Sequence, residues 1–112
     1  MAVDQTGVID LASVSPSTGE MVLTITDHLD WTNTVEHQSV LQNKLNAYLA
    51  FAESGEVFER FPDARGRAIA FNVVFKFRPD SEGTLFLDRA RKIIESAGFG
   101  FRHELFAESY GN

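Results

Sequence analysis

The densest group of reactive side chains is Asp27-His28-Leu29-Asp30-Trp31, which puts two carboxylates, an imidazole and an indole within one short stretch. Carboxylates and imidazoles brought close together alter one another's proton affinity, which is the starting point for acid–base chemistry. His37 and Lys44 follow, spaced seven residues apart and so on one face of a helix. Arg78 and Asp80, then His103 and Glu104, come at the ends of later apolar runs. A pocket holding Asp27, His37 and Lys44 is therefore the one constellation with the residue types for proton transfer. Lys44 falls inside an apolar stripe, where an unpaired ammonium costs several kcal/mol; Asp27 or Asp30 is its expected partner, unless it reaches outward to water. The Tyr48 hydroxyl, one turn later, also needs a partner if buried.

These residues also support a plainer reading, and the sequence favours it. Asp-x-x-Asp ahead of a helix is common turn and capping chemistry, and Trp31 suits a hydrophobic staple at the helix entrance. Asp27, His28, Asp30 and His37 are acceptable metal-ligand types, but their spacing matches no known site. No metal and no cofactor is expected. Gly98-Phe99-Gly100-Phe101 lacks the lysine and the following helix of a phosphate loop, and no nucleophile elbow is present.

The elements that must position these residues can be read from periodicity. Val8–Val14 and Met21–Thr26 are strands joined through the turn formers Ser15-Pro16-Ser17-Thr18-Gly19; Met21, Leu23 and Ile25 share one face. Asn33 caps a helix, with Glu36 placed to complete a capping box, and the run continues without glycine or proline to Ser54 and the stop at Gly55. Leu41, Leu45, Tyr48 and Ala52 form its inner row, flanked by Val40, Ala47, Phe51 and Leu49. One more helical turn is expected over Glu56–Phe61, ended by Pro62. Arg67–Phe77 is a long strand with Ile69, Phe71, Val73, Phe75 and Phe77 on its apolar face. Asp80 caps a second long helix to about Ala97, with Phe86, Leu87, Ala90, Ile93 and Ile94 inward, and Phe99–Phe106 is the last strand.

The order ββαβαβ predicts an α+β, two-layer sandwich: a four-stranded mixed sheet with two helices on one face. All 112 residues form one domain with an ordered core of about 7–106. Ligands of open sheets gather beyond the carboxyl ends of parallel strands. That edge collects Asp27, His28, Asp30, Trp31, His37, Lys44, Arg78 and His103, which are the candidate ligand-binding residues. Both helices start there, and their dipoles favour an anion. At the opposite edge Arg65 and Arg67 are expected to pair with Glu53, Glu56 and Glu59. The helix-free face is expected to show Val8, Ala12, Val14, Val22, Thr24, Ala68, Ala70 and Val74 beside Asp10, Asn72, Lys76 and Arg102, apolar enough to bury in a homodimer.

Composition narrows the function classes. Sixteen acidic against ten basic side chains give a net charge of −6, which disfavours nucleic acid. The absence of cysteine removes thiol catalysis and thiolate metal sites, and it fits a reducing compartment. Met1–Gly7 carries no signal-peptide pattern, and no apolar run approaches a membrane span, so a cytoplasmic protein without membrane contact is expected.

Several stretches together resemble a small family of uncharacterised bacterial proteins. They are Val8-Ile9-Asp10-Leu11, the run Leu23-Thr24-Ile25-Thr26-Asp27-His28-Leu29-Asp30-Trp31, and Leu41-Gln42-Asn43-Lys44-Leu45-Asn46 continuing through Ala47-Tyr48-Leu49-Ala50-Phe51. Glu53-Ser54-Gly55-Glu56, the Pro62–Arg67 loop and Ala97-Gly98-Phe99 extend the likeness, which runs from about Val8 to Phe101. The resemblance implies a one-domain bacterial protein and brings no catalytic residue with it. Two functions are left in play. The first is a non-enzymatic interaction or accessory protein, homodimeric and with a further unidentified protein partner. The second is a small-molecule-binding protein or enzyme using Asp27, His37 and Lys44.

Overall fold

The structure, a computed structural model, describes residues 11–106. Strands β1 (Leu11–Val14) and β2 (Met21–Asp27) form an antiparallel hairpin. Helix α1 (Thr34–Glu53), the short helix α2 (Glu56–Arg60) and a 3-10 turn (Pro62–Ala64) lead to β3 (Ile69–Phe75). Helix α3 (Ser81–Ser96) then leads to β4 (Gly100–Leu105). The sheet order is β1-β2-β3-β4, with β2, β3 and β4 parallel. Each crossover adds its strand further along in the same direction, so crossovers of one hand lay both helices on one face. Side-chain contacts agree. The Tyr48 ring of α1 meets Phe71 edge-on at 6.1 Å, and the Arg91 guanidinium of α3 sits 5.9 Å from the ring of Phe101, which pairs with Phe71 across the sheet.

The core is what the alternation predicts. Met21, Leu23 and Ile25 of β2, and Ile69, Phe71, Val73 and Phe75 of β3, are buried against Leu41, Leu45, Tyr48, Leu87 and Ile94. Each such side chain contributes about 1.5–3 kcal/mol. The expected helix signals also hold. The Asn33 side chain accepts from the Glu36 amide at 3.1 Å, and Gly55 takes the left-handed conformation (φ 85°) that ends α1. The Glu36 carboxylate, however, meets the Asn33 side-chain amide instead of its backbone N–H.

Four expectations are corrected. β1 has the opposite parity: Ala12 pairs with Leu23 and Val14 with Met21, so both lie on the helix side, while Leu11 and Ser13 face outward. The loop between the strands is closed by Ser15 N–H to the Glu20 carbonyl at 2.8 Å, and a one-residue change of register turns every side chain over. Val8 and Asp10 lie outside the described residues, as does the tail from Ala107. Phe77 extends past β3 and is exposed, and Ile93 is exposed on α3, where Leu87 and Ile94 are the buried positions. Finally, Arg65 and Arg67 bond backbone carbonyls, not glutamates: Arg67 donates to Asp63 and Gly19, both at 2.9 Å, and Arg65 donates to Phe58.

Candidate functional site

The carboxyl ends of β2 and β3 and the starts of α1 and α3 meet where the sequence places its reactive cluster. Asp27 is the last residue of β2, on the same face as Leu23 and Ile25, so its side chain turns under α1 and is 1% exposed. One carboxylate oxygen accepts from the Leu29 amide at 3.1 Å, forming the turn that leads out of the strand. The other lies 2.5 Å from Nε2 of His37, which is in the first turns of α1 and 2% exposed. His37 Nδ1 is 2.9 Å from the Asp30 carbonyl.

Hydrogen positions follow from the partners. The Asp30 carbonyl can only accept, so Nδ1 carries a proton; the contact to Asp27 needs a second proton between nitrogen and oxygen. Both ring nitrogens are thus committed inside the protein, and neither offers a lone pair outward. The Trp31 indole covers the imidazole, with ring centroids 3.7 Å apart and planes within 24°. Its Nε1 donates to the Phe77 carbonyl at 3.2 Å, tying the β2–α1 loop to the end of β3. His37 is the fourth residue of α1, so the stack does the work of the staple expected from Trp31.

The same region joins the two long helices. Asp80 caps α3 by accepting from Gly83 N–H at 2.7 Å, and its carboxylate also accepts from Thr34 Oγ1 at 3.2 Å, at the start of α1. Gly83 has no side chain because the indole is there: an added Cβ would stand 2.8 and 2.9 Å from two Trp31 ring carbons. The sequence reading missed this residue. A glycine in the first turn of a helix is a weak helix former, and that was the available signal.

The other predicted residues spread out. Asp30, exposed, accepts from the Thr32 amide at 3.1 Å, which holds its carboxyl below the usual range. His28 is exposed at the mouth of a cavity of about 500 Å³, lined by Leu29, Asp30, Asn33, Glu36, His37, Val40 and Phe77. Lys44 is fully buried two turns beyond His37, about 10 Å along the axis, with its ammonium 5.3 Å from the Tyr48 ring centroid. The Tyr48 hydroxyl donates to the Thr24 carbonyl at 3.2 Å. Arg78 is exposed after β3. His103 is on β4, its ring 6.0 Å from Phe75, and Phe75 is also 5.9 Å from Trp31, so that phenylalanine stands between the two. Partial desolvation, and the nearby Arg91 cation, hold His103 below the usual imidazole range, against the opposing pull of Asp88. The structure therefore unites Asp27, Asp30, Trp31 and His37, leaves His28 at the rim, and places Lys44, Arg78 and His103 elsewhere.

Among the described residues no cluster of three or more histidine, aspartate or glutamate side chains is arranged to hold a metal ion, and no helix is long and apolar enough to cross a membrane. The model of a family of unknown function, DUF6572, matches residues 1–107. No curated protein and no solved structure matches the chain.

Proposed function

The chain belongs to DUF6572, a family of unknown function, and from that premise we propose that it is a non-enzymatic interaction protein of the bacterial cytoplasm that pairs with a second copy of itself. One observation carries the non-enzymatic part of this reading: Asp27 and His37, which have the types for acid–base chemistry, are closed off. Asp27 and His37 satisfy each other and the backbone beneath the Trp31 ring. A general base needs a free lone pair within hydrogen-bond reach of its substrate. Here the imidazole instead locks the β2–α1 loop to the first turns of α1, as a structural pair does.

Acylation of imidazole nitrogen by diethyl pyrocarbonate tests this directly. His28 and His103 are exposed and react in the native protein, whereas His37 reacts only on unfolding, as peptide mass mapping reads. Rapid native modification of His37 overturns the structural reading.

A second reading draws on the cavity of about 500 Å³ beside His37, whose walls combine Asp30 and Glu36 with Leu29, Val40 and Phe77. Such a mixed lining suits a small molecule. A metabolite that raises the thermal midpoint of the wild type, with the shift lost in Phe77→Ala, supports this reading over the first.

A further inference from the structure

The two faces of β4 carry a pattern that matches its own reverse. Among the described residues β4 is an edge strand, paired on one side only, to β3. An open edge presents a row of backbone donors and acceptors to any strand that fits. On the helix side β4 shows Phe101, His103 and Leu105; on the other it shows Arg102 and Glu104. We propose that β4 is the pairing edge for a second copy of this chain, the two β4 strands running antiparallel about a two-fold axis at His103. In that register Arg102 of one copy stands opposite Glu104 of the other, and Phe101 stands opposite Leu105, each pair occurring twice. The inference rests on the self-association reading above and specifies its surface.

Charge complementarity selects this register. Opposite charges across an antiparallel pair stabilise it and like charges oppose it. A shift of one residue in the sum of the paired numbers, in either direction, brings arginine against histidine or leucine and glutamate against phenylalanine or histidine. Arg102 gives Nη2 to Glu20 at 3.0 Å, and Glu104 accepts from Asn72 through Oε2 at 2.9 Å; these contacts hold both side chains flat on the helix-free face, with further guanidinium donors and the second carboxylate oxygen still to be used. At the axis the two imidazoles face each other, an arrangement that suits uncharged rings, and desolvation together with Arg91 shifts His103 toward the uncharged form. The expected alternative, the helix-free sheet face, fits a second copy less well. With Ala12 and Val14 on the helix side, that face is crossed by the Glu20–Arg102 and Asn72–Glu104 pairs.

The chain has no cysteine, so cross-linking gives a clean test. Residues opposite each other across an antiparallel pair have Cα atoms about 4.5–5.5 Å apart, within the span of a disulfide. His103→Cys is expected to give an interchain disulfide under mild oxidation, and Val22→Cys and Val74→Cys on the helix-free face are not. Cross-linking at position 22 or 74 but not 103 keeps self-association and overturns the edge. A wild-type chain that sediments as a monomer at micromolar concentration overturns both. Charge reversal supplies the second arm. Arg102→Glu and Glu104→Arg each weaken the dimer by about ten-fold or more, since each sets like charges opposite twice, and the double variant recovers the wild-type constant. Failure of that recovery, with every variant folded by circular dichroism, overturns the register.

Discussion

Two carboxylate contacts to nitrogen side chains in this molecule lie in opposite surroundings. Asp27 and His37 meet at 2.5 Å in the interior, both side chains essentially without solvent contact. Glu20 and Arg102 meet at 3.0 Å on the helix-free face, with the arginine side chain 48% exposed. The interior pair is held by a backbone amide, a backbone carbonyl and a stacked indole. The surface pair has Thr18 as its further side-chain partner on Glu20. Burial removes water as an alternative partner, so the interior contact fixes one geometry and its loss is costly. The surface contact can exchange its members for water at little cost.

Removing one member of each pair tests that contrast. Asp27→Ala or His37→Ala leaves the other group buried without its partner, and is expected to lower the unfolding free energy by about 3–5 kcal/mol. Urea titration followed by far-ultraviolet circular dichroism reads the loss. The double variant should cost clearly less than the sum of the singles, because the second truncation removes the group that the first stranded. Losses below 1 kcal/mol in both singles would place this pair with surface contacts and end the comparison.

Gly83 sharpens the comparison, because it supports the interior pair without touching it. Alanine is a better helix former than glycine by about 1 kcal/mol, so an unobstructed Gly83→Ala would stabilise α3. Here the new Cβ meets Trp31 at under 3 Å and Asp80 at 3.1 Å. Crowding of that kind costs about 1–3 kcal/mol, so Gly83→Ala is expected to destabilise, with a change in tryptophan fluorescence as the indole moves off His37. In a Trp31→Ala background the same substitution is expected to stabilise. That reversal of sign, measured by thermal unfolding, identifies the indole as the obstacle.

Much of this architecture is legible in the sequence, and the reasons are specific. The unbroken run from Thr34 to Glu53, with Asn33 before it and Gly55 after it, admits little but a helix; the phase of its apolar row then places His37 and Lys44 inside. The alternation of Met21, Leu23 and Ile25 carries Asp27 to the buried side by parity. The partner of Asp27 is harder to read, because His37 and Lys44 share that helix face, and only the length of the turn through Leu29 and Asp30 decides that the nearer residue is reached. The parity of β1 is not legible either. Leu11-Ala12-Ser13-Val14 alternates too weakly to choose a face, and the closure of the Ser15–Glu20 loop decides it. The indole's neighbour Gly83 is distant in sequence from Trp31, and no local pattern links them.

On the surface side, Glu20→Ala and Arg102→Ala are each expected to change stability by about 0–1 kcal/mol. The Glu20 carboxyl, held below its usual range chiefly by the Arg102 hydrogen bond, makes that contribution present at neutral pH and lost in acid. Raising salt should shrink it further, since exposed charges are screened, while the Asp27–His37 contribution should hardly move. Equal salt sensitivity of the two would break the distinction.

The smallest effect concerns His103, which lies between these extremes: solvent reaches it, yet Phe75 and Phe101 cover part of its ring. Partial desolvation and Arg91 hold its folded-state value below that of the unfolded chain, about 6.5. As pH falls through that unfolded value the unfolded state takes up the proton first, so stability is full above it and declines toward the lower folded value. His103→Gln should therefore flatten the stability curve slightly on the acid side of neutrality. Proton resonances of the ring give the direct measurement, with a midpoint below 6.5 expected. If two copies meet at this residue, the midpoint must fall further as protein concentration rises, because charging one imidazole then opposes charging the other. A midpoint independent of concentration in a protein that dimerises would move the axis away from His103.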